Sequence, residues 1–249
     1  MIGIAASLPV IPTFGGAPSS YACERANRLF CSGWISQNWS TVLWPALRQH
    51  VLLSLVAVAI GFAISFVLAL LAYRWHRLER PVILVSGILY TLPSLALFEI
   101  LVTVKPLGLS ARTAEVALVS YTLLILFRNI VTGLRAVPDD VKEAARGMGM
   151  TERQCLWRVE IPLALPSIIA GLRIATVTVI ALATVAAYIC DEGLGVPIFA
   201  AIQDGVFKTE LIAAGGLAVV LAIVADGLLV LVQRALTPWA RGRRLGAAR

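Results

Sequence analysis

Five long apolar runs, separated by short polar segments, organise this chain. The first, residues 51–73, reads VLLSLVAVAIGFAISFVLALLAY and ends on Arg74-Trp75-His76-Arg77, a basic and aromatic anchor suited to a membrane–water interface. The second covers 82–104, is interrupted by Pro93 and carries Glu99. The third covers about 114–132, with Glu115 near its start and Arg128 near its end. The fourth runs from Pro162 to Cys190, with Pro166 in its first turns, and the fifth is 211–233, with Asp226 inside it. As helices, all five are long enough to cross roughly 30 Å of hydrocarbon. The pattern predicts an all-α membrane protein with about five spans in one membrane domain, residues 50–236. Residues 1–49 read as an extracytoplasmic or interfacial extension. Within it, 32–47, with Trp34, Trp39 and Trp44, predicts an interfacial helix leading into the first span. Met1–Pro12 is apolar but too short to span and has no basic leading region, so it makes a poor signal peptide. Residues 237–249 form a basic tail.

The polar stretch 138–162 breaks the apolar rhythm and predicts two short helices. Pro138-Asp139-Asp140 is a helix-start signal, with the acidic pair placed to cap orphan N–H groups and to favour the positive helix end. Val141, Ala144, Ala145 and Met148 then share one face. Gly149 fits a left-handed helix stop. Thr151-x-x-Gln154 is a capping box that opens the second helix.

Composition fits this reading. Of 249 residues, 59% are apolar and 14% charged, with mean hydropathy +0.87, far from a soluble average. The net charge of +7 raises nucleic acid as a partner, but the basic residues cluster beside the apolar runs, where membrane topology explains them. One set of loops holds fourteen Lys and Arg residues and the opposite set six, which predicts the 138–162 stretch in the cytoplasm, the N-terminus outside and the C-terminus inside. Cys155 and Cys190 sit at opposite ends of one predicted helix and cannot pair. Cys23 and Cys31 form either a disulfide or two free thiols. Only His50 and His76 are present, far apart, so no metal site is expected. No G-x-x-x-x-G-K-[ST] and no nucleophile–base pair occurs, so no enzymatic activity is expected.

The spacing Glu143-Ala144-Ala145, three residues, Gly149, nine residues, then Val159-x-Ile161-Pro162 resembles the EAA loop of ABC importer permeases, with V-x-I-P in place of the usual I-x-L-P. The likeness covers roughly residues 39–235. Tyr90-Thr91-Leu92-Pro93-Ser94-Leu95-Ala96-Leu97 is similar to the TIPSLAL stretch of osmoprotectant permeases, those serving glycine betaine, carnitine, choline and proline betaine. Phe127 to Leu134 is similar to their LRNTYTGL. Gly147 to Thr151 and Glu160 to Pro166 are similar to their GMGMT and ELPLALP. The chain departs from them at Cys190 to Gly195, where an acidic pair, Asp191-Glu192, replaces small residues, and at Ser120 to Asn129, which lacks a proline.

The resemblance implies the transmembrane domain of a type I ABC importer with a cytoplasmic coupling helix, in the cell inner membrane. It implies cytoplasmic ATPase subunits that bind the ATP, a second permease copy or paralogue, and an extracytoplasmic binding protein that holds the ligand. Glu143, Ala144, Ala145, Gly149, Met150 and Pro162 are then the ATPase-coupling residues. Candidates for the translocation path are Tyr90, Pro93, Glu99, Tyr121, Tyr188 and Asp226. Quaternary ammonium ligands suit tyrosine faces through cation–π attraction, while ordinary core or interfacial packing is the alternative. Pro93 predicts either a packing kink or a broken helix beside the path. Asp226 either pairs with a helix dipole or Arg173, or lines the path. Glu99 is either solvated at the interface or part of the path. Arg128 and Arg173 read as snorkelling or bundle-pairing cations. Gly193 and Gly195 predict a turn, with 193–207 either a re-entrant element or a plain loop. The rival functions are a permease for another small amine or amino acid, such as a methionine-type importer, a self-contained secondary transporter or channel, and an assembly or signalling membrane protein with no cargo.

Overall fold

The computed structural model describes residues 26–241, all helices and connections. Met1–Pro12, Cys23 and the end of the basic tail lie outside the described residues. The elements are α1 (Ser32–Asn38), α2 (Trp44–Arg74), α3 (Glu79–Thr91), α4 (Ser94–Val102), α5 (Ala111–Arg135), α6 (Asp139–Gly147), α7 (Glu152–Cys155), α8 (Ile161–Cys190), α9 (Gly195–Gln203) and α10 (Lys208–Leu236). Among the described residues, four helical runs are long and apolar enough to cross a membrane, and α3 with α4, bent by 99° at their junction, makes a fifth if counted as one span.

Two wide π turns, Trp39–Leu43 and Leu156–Glu160, join α1 to α2 and α7 to α8 without a break. Each ends two residues before a proline, Pro45 or Pro162. Proline has no N–H and its ring collides with the carbonyl four residues earlier. Widening the helix by one residue just before it relieves that collision and keeps the axis running. The helix expected over 32–47 is present and runs on into the first span without a break. Residues 32–74 form one helical run, and the division at 49/50 falls inside it. Trp34 is buried with its ring edge-on to Phe207, centroids 5.3 Å apart, while Trp39 and Trp44 stay exposed.

The bundle is built around α5, which packs against α8, α2, α3 and α4, while α10 lies along α8 and α9. Alanines fill the contacts, with Ala57, Ala69 and Ala72 from α2, Ala114 and Ala117 from α5, and Ala164, Ala175, Ala183 and Ala186 from α8 in two clusters. In lipid, apolar side chains gain little from leaving the solvent, so close approach of small residues supplies the packing.

At the end opposite α6, the buried His50 ties three elements. Its Nδ1 accepts the Leu194 N–H at 3.2 Å, so the neutral ring carries its proton on Nε2 and donates to the Ile180 carbonyl at 3.0 Å. Gln49 Oε1 accepts the adjacent Gly193 N–H at 3.2 Å. The expected two-glycine turn divides into different roles. Asp191 and Gly193 take the positive φ values, 49° and 84°. Gly195 opens α9, where a Cβ would lie 2.0 Å from the Thr184 carbonyl oxygen. The segment after it is a nine-residue helix, not a plain loop. Cys155 and Cys190 are free thiols. Cys31 is buried and disulfide-bonded.

Candidate functional site: a capped helix pair and a broken span

Local chemistry fixes both ends of the α6–α7 pair. α6 starts after Pro138, and no side chain caps it. The acidic pair therefore lies inside the first turn, not at the cap, where it still complements the helix dipole. Asp139 accepts a bond from Lys142 Nζ at 3.1 Å. At the far end Met150 N–H donates to Ala145 O at 3.2 Å and Gly149 N–H to Arg146 O at 2.9 Å. That is a Schellman closure, and Gly149 supplies its left-handed residue at φ 82°. The capping box forms as the spacing predicts. Gln154 N–H donates to Thr151 Oγ1 at 3.3 Å, and Thr151 N–H to Gln154 Oε1 at 2.9 Å. Arg146 reaches across the turn to Glu152 through Nε at 2.8 Å and Nη2 at 3.3 Å, so the two helices are clamped to each other.

The expected shared face is split. Ala145 is 1% exposed and packs inward. Val141, Ala144 and Met148 point outward, with Met148 72% exposed, and Glu143 is exposed beside them. Met150 and Pro162 are half-buried. Of the six residues expected to couple, Ala145 therefore supports the segment from behind.

Sequence reasoning missed the residues that hold this pair to the long helices. The Tyr73 hydroxyl, at the end of α2, donates to Glu160 Oε2 at 2.5 Å. Glu160 is 3% exposed in the π turn that leads into α8. Lys142 of α6 is bonded to Asp139 with its side chain 13% exposed. Burial alone would lower the lysine pKa, but Asp139 and Tyr73 outweigh it and raise it. The only sequence signal was a carboxylate at the threshold of an apolar run.

The second candidate region is the junction of α3 and α4. Leu92 and Pro93 are extended, with ψ 134° at both, so this is a broken helix and not a kink. Two of the path candidates meet here. The rings of Tyr90 and Tyr121 lie edge-to-face, centroids 6.1 Å apart. Tyr121 is buried, and its hydroxyl donates to the Leu92 carbonyl at 2.8 Å; Tyr90 is 41% exposed. Pro93 and Glu99 are exposed on the same bent pair. Tyr188 is elsewhere, against Phe199 at 6.1 Å. Asp226 takes a two-pronged bond from Arg173, Nε to Oδ1 at 2.7 Å and Nη2 to Oδ2 at 2.8 Å, which is the pairing alternative. Arg128 is exposed and lines a cleft of about 430 Å³ with Glu79, Thr132 and Arg135, the last of which is bonded to Glu79.

The model of the family described as "Binding-protein-dependent transport system inner membrane component" matches residues 61–238. The chain is 37% identical over 191 residues to the choline transport system permease protein OpuBB of Bacillus subtilis, covering 76% of this chain and 86% of that one. It is 38% identical over 191 residues to the carnitine transport permease protein OpuCB of Listeria monocytogenes, covering 76% and 86%. To the osmoprotectant import permease protein OsmW of Salmonella typhimurium it is 38% identical over 194 residues, covering 76% and 89%. Among solved structures, an inward-facing MetNI methionine ABC transporter chain superposes with TM-score 0.70 at 21% identity, over 81% of this chain and 98% of that one.

Proposed function

The chain belongs to the family of binding-protein-dependent transport system inner membrane components, and on that premise we propose that its cargo is an osmoprotectant such as glycine betaine, choline or carnitine. It is a multi-pass permease of an ABC-type importer and not an enzyme. The curated relatives named for choline, carnitine and osmoprotectants support the cargo. The methionine reading has only the shared fold behind it.

Residues 50–236 serve as the permease domain and 138–162 as its coupling loop. The observation that carries this is an exposed apolar face, Val141, Ala144 and Met148, on a helix pair fixed by its own caps. Such a face suits a groove on a partner ATPase, with Glu143 at its edge. The excess of basic residues, fourteen against six, supports placing this pair in the cytoplasm, the N-terminus outside and the C-terminus inside. Two ATPase subunits, a second permease copy or paralogue, and an extracytoplasmic binding protein complete the assembly. Closure of the ATPases moves residues 139–158 together and rocks the spans between two access states.

In the path, Tyr90 offers the accessible aromatic face, with Tyr121 behind it and Pro93 and Glu99 on the same bent pair. Tyr188 offers a separate aromatic surface. Asp226 is neutralised by Arg173 and so contributes an anchor between α8 and α10, not a counter-charge for a cation.

ATP-dependent uptake of radiolabelled glycine betaine, choline and carnitine tests this, in proteoliposomes holding this chain with its neighbouring ATPase, permease and binding-protein genes. Uptake of a quaternary amine that needs ATP and an intact 143–149 segment is expected. Uptake of a different solute would discard the cargo and keep the coupling.

A further inference from the structure

The coupling segment needs a stiff path into the spans, because a soft one would let α6 move without them. Its exposed contacts do not supply one. Arg146 and Glu152 join α6 only to α7, and Arg135 and Glu79 join α5 to α3. One buried polar cluster reaches further. Glu160 is 3% exposed, and a carboxylate taken from water is costly unless it is bonded. Tyr73 Oη supplies that bond at 2.5 Å from the end of α2. Lys142 comes from α6, its side chain 13% exposed and anchored by Asp139 at 3.1 Å.

We infer that Tyr73 and Glu160 are positioning residues for energy coupling, a hinge pin through which the clamped α6–α7 pair moves α2 and α8 as one unit. The inference rests on reading α6–α7 as the ATPase contact. The pair has this property because neither α2 nor the start of α8 can move alone without stranding the buried Glu160 carboxylate.

The test uses the complete assembly in proteoliposomes and reads ATP hydrolysis and uptake in the same vesicles. Tyr73→Phe removes one oxygen atom, and Glu160→Gln keeps the shape while removing the charge. Each is expected to leave ATP hydrolysis within about twofold and to cut uptake about tenfold, the factor set by one lost bond to a charged group. The double variant is expected to be no worse than the poorer single, because both break the same link. A merely structural role would lower hydrolysis and uptake together and leave their ratio unchanged. An unchanged ratio in assembled Tyr73→Phe overturns the inference, and this variant decides alone if Glu160→Gln does not assemble. Met148→Glu, on the outward face, separates the two readings. It is expected to abolish both hydrolysis coupling and uptake, and if it changes neither, the ATPase contact itself is misplaced.

Discussion

The Tyr121 hydroxyl donates to the Leu92 carbonyl across 29 residues of chain, at the point where α3 stops. In an unbroken helix that carbonyl would accept a backbone N–H one turn on. Pro93 and the 99° bend take that donor away. The phenol of α5 fills the vacancy, so the break is a supported feature of the fold. Tyr121→Phe keeps the ring against Tyr90 and removes only the donor. It is expected to destabilise the protein by about 1 kcal/mol, the cost of one lost hydrogen bond to a part-buried carbonyl. Thermal unfolding in detergent, compared with wild type, checks this, and an unchanged midpoint would mean the carbonyl is satisfied otherwise.

Gly149→Val should uncouple transport without blocking insertion. No atom lies within 4 Å of an added Cβ, so the penalty comes from the backbone alone, φ 82°. Holding an ordinary residue there costs about 1–2 kcal/mol, and a β-branched one is worse. Gly149→Asn, which tolerates the left-handed region, should retain most uptake. Equal uptake by both variants would show that the Schellman closure is dispensable.

Arg173 and Asp226 fasten α8 to α10 within the apolar runs. Either Arg173→Leu or Asp226→Leu strands a charge where its partner was. The double substitution removes both charges and should be more stable than either single, as measured by the folded fraction after heating in detergent. A double variant worse than both singles would indicate that the pair has further partners.

If the cargo is a quaternary amine, Tyr90→Ala should raise the substrate concentration for half-maximal uptake about 2- to 30-fold, the range of a lost cation–π contact. Tyr90→Phe should keep it near wild type. Uptake kinetics of both variants in proteoliposomes make the comparison, and a Phe variant as poor as Ala would favour a hydroxyl role instead.

Sequence alone determined the features whose causes lie within a few residues. The apolar runs gave the long helices because crossing hydrocarbon demands that length. Thr151 and Gln154 gave a cap, and Gly149 a stop, because orphan N–H and C=O groups near a helix end are met locally. The tertiary structure decided everything that depends on which surface meets which. Ala145 and Met148 look alike in a periodic pattern, yet one is buried and the other 72% exposed, because α6 packs on the bundle at an angle that no local rule contains. Pro93 announced an interruption, but not its 99° bend or the tyrosine that supports it. Sequence left Asp226 to a helix dipole, to Arg173 or to the path, and packing brought Arg173 to it. Tyr73 and Glu160 stand 87 residues apart and carry no shared motif. A buried carboxylate must find its donor wherever the folded chain brings one, and that choice belongs to the packed bundle.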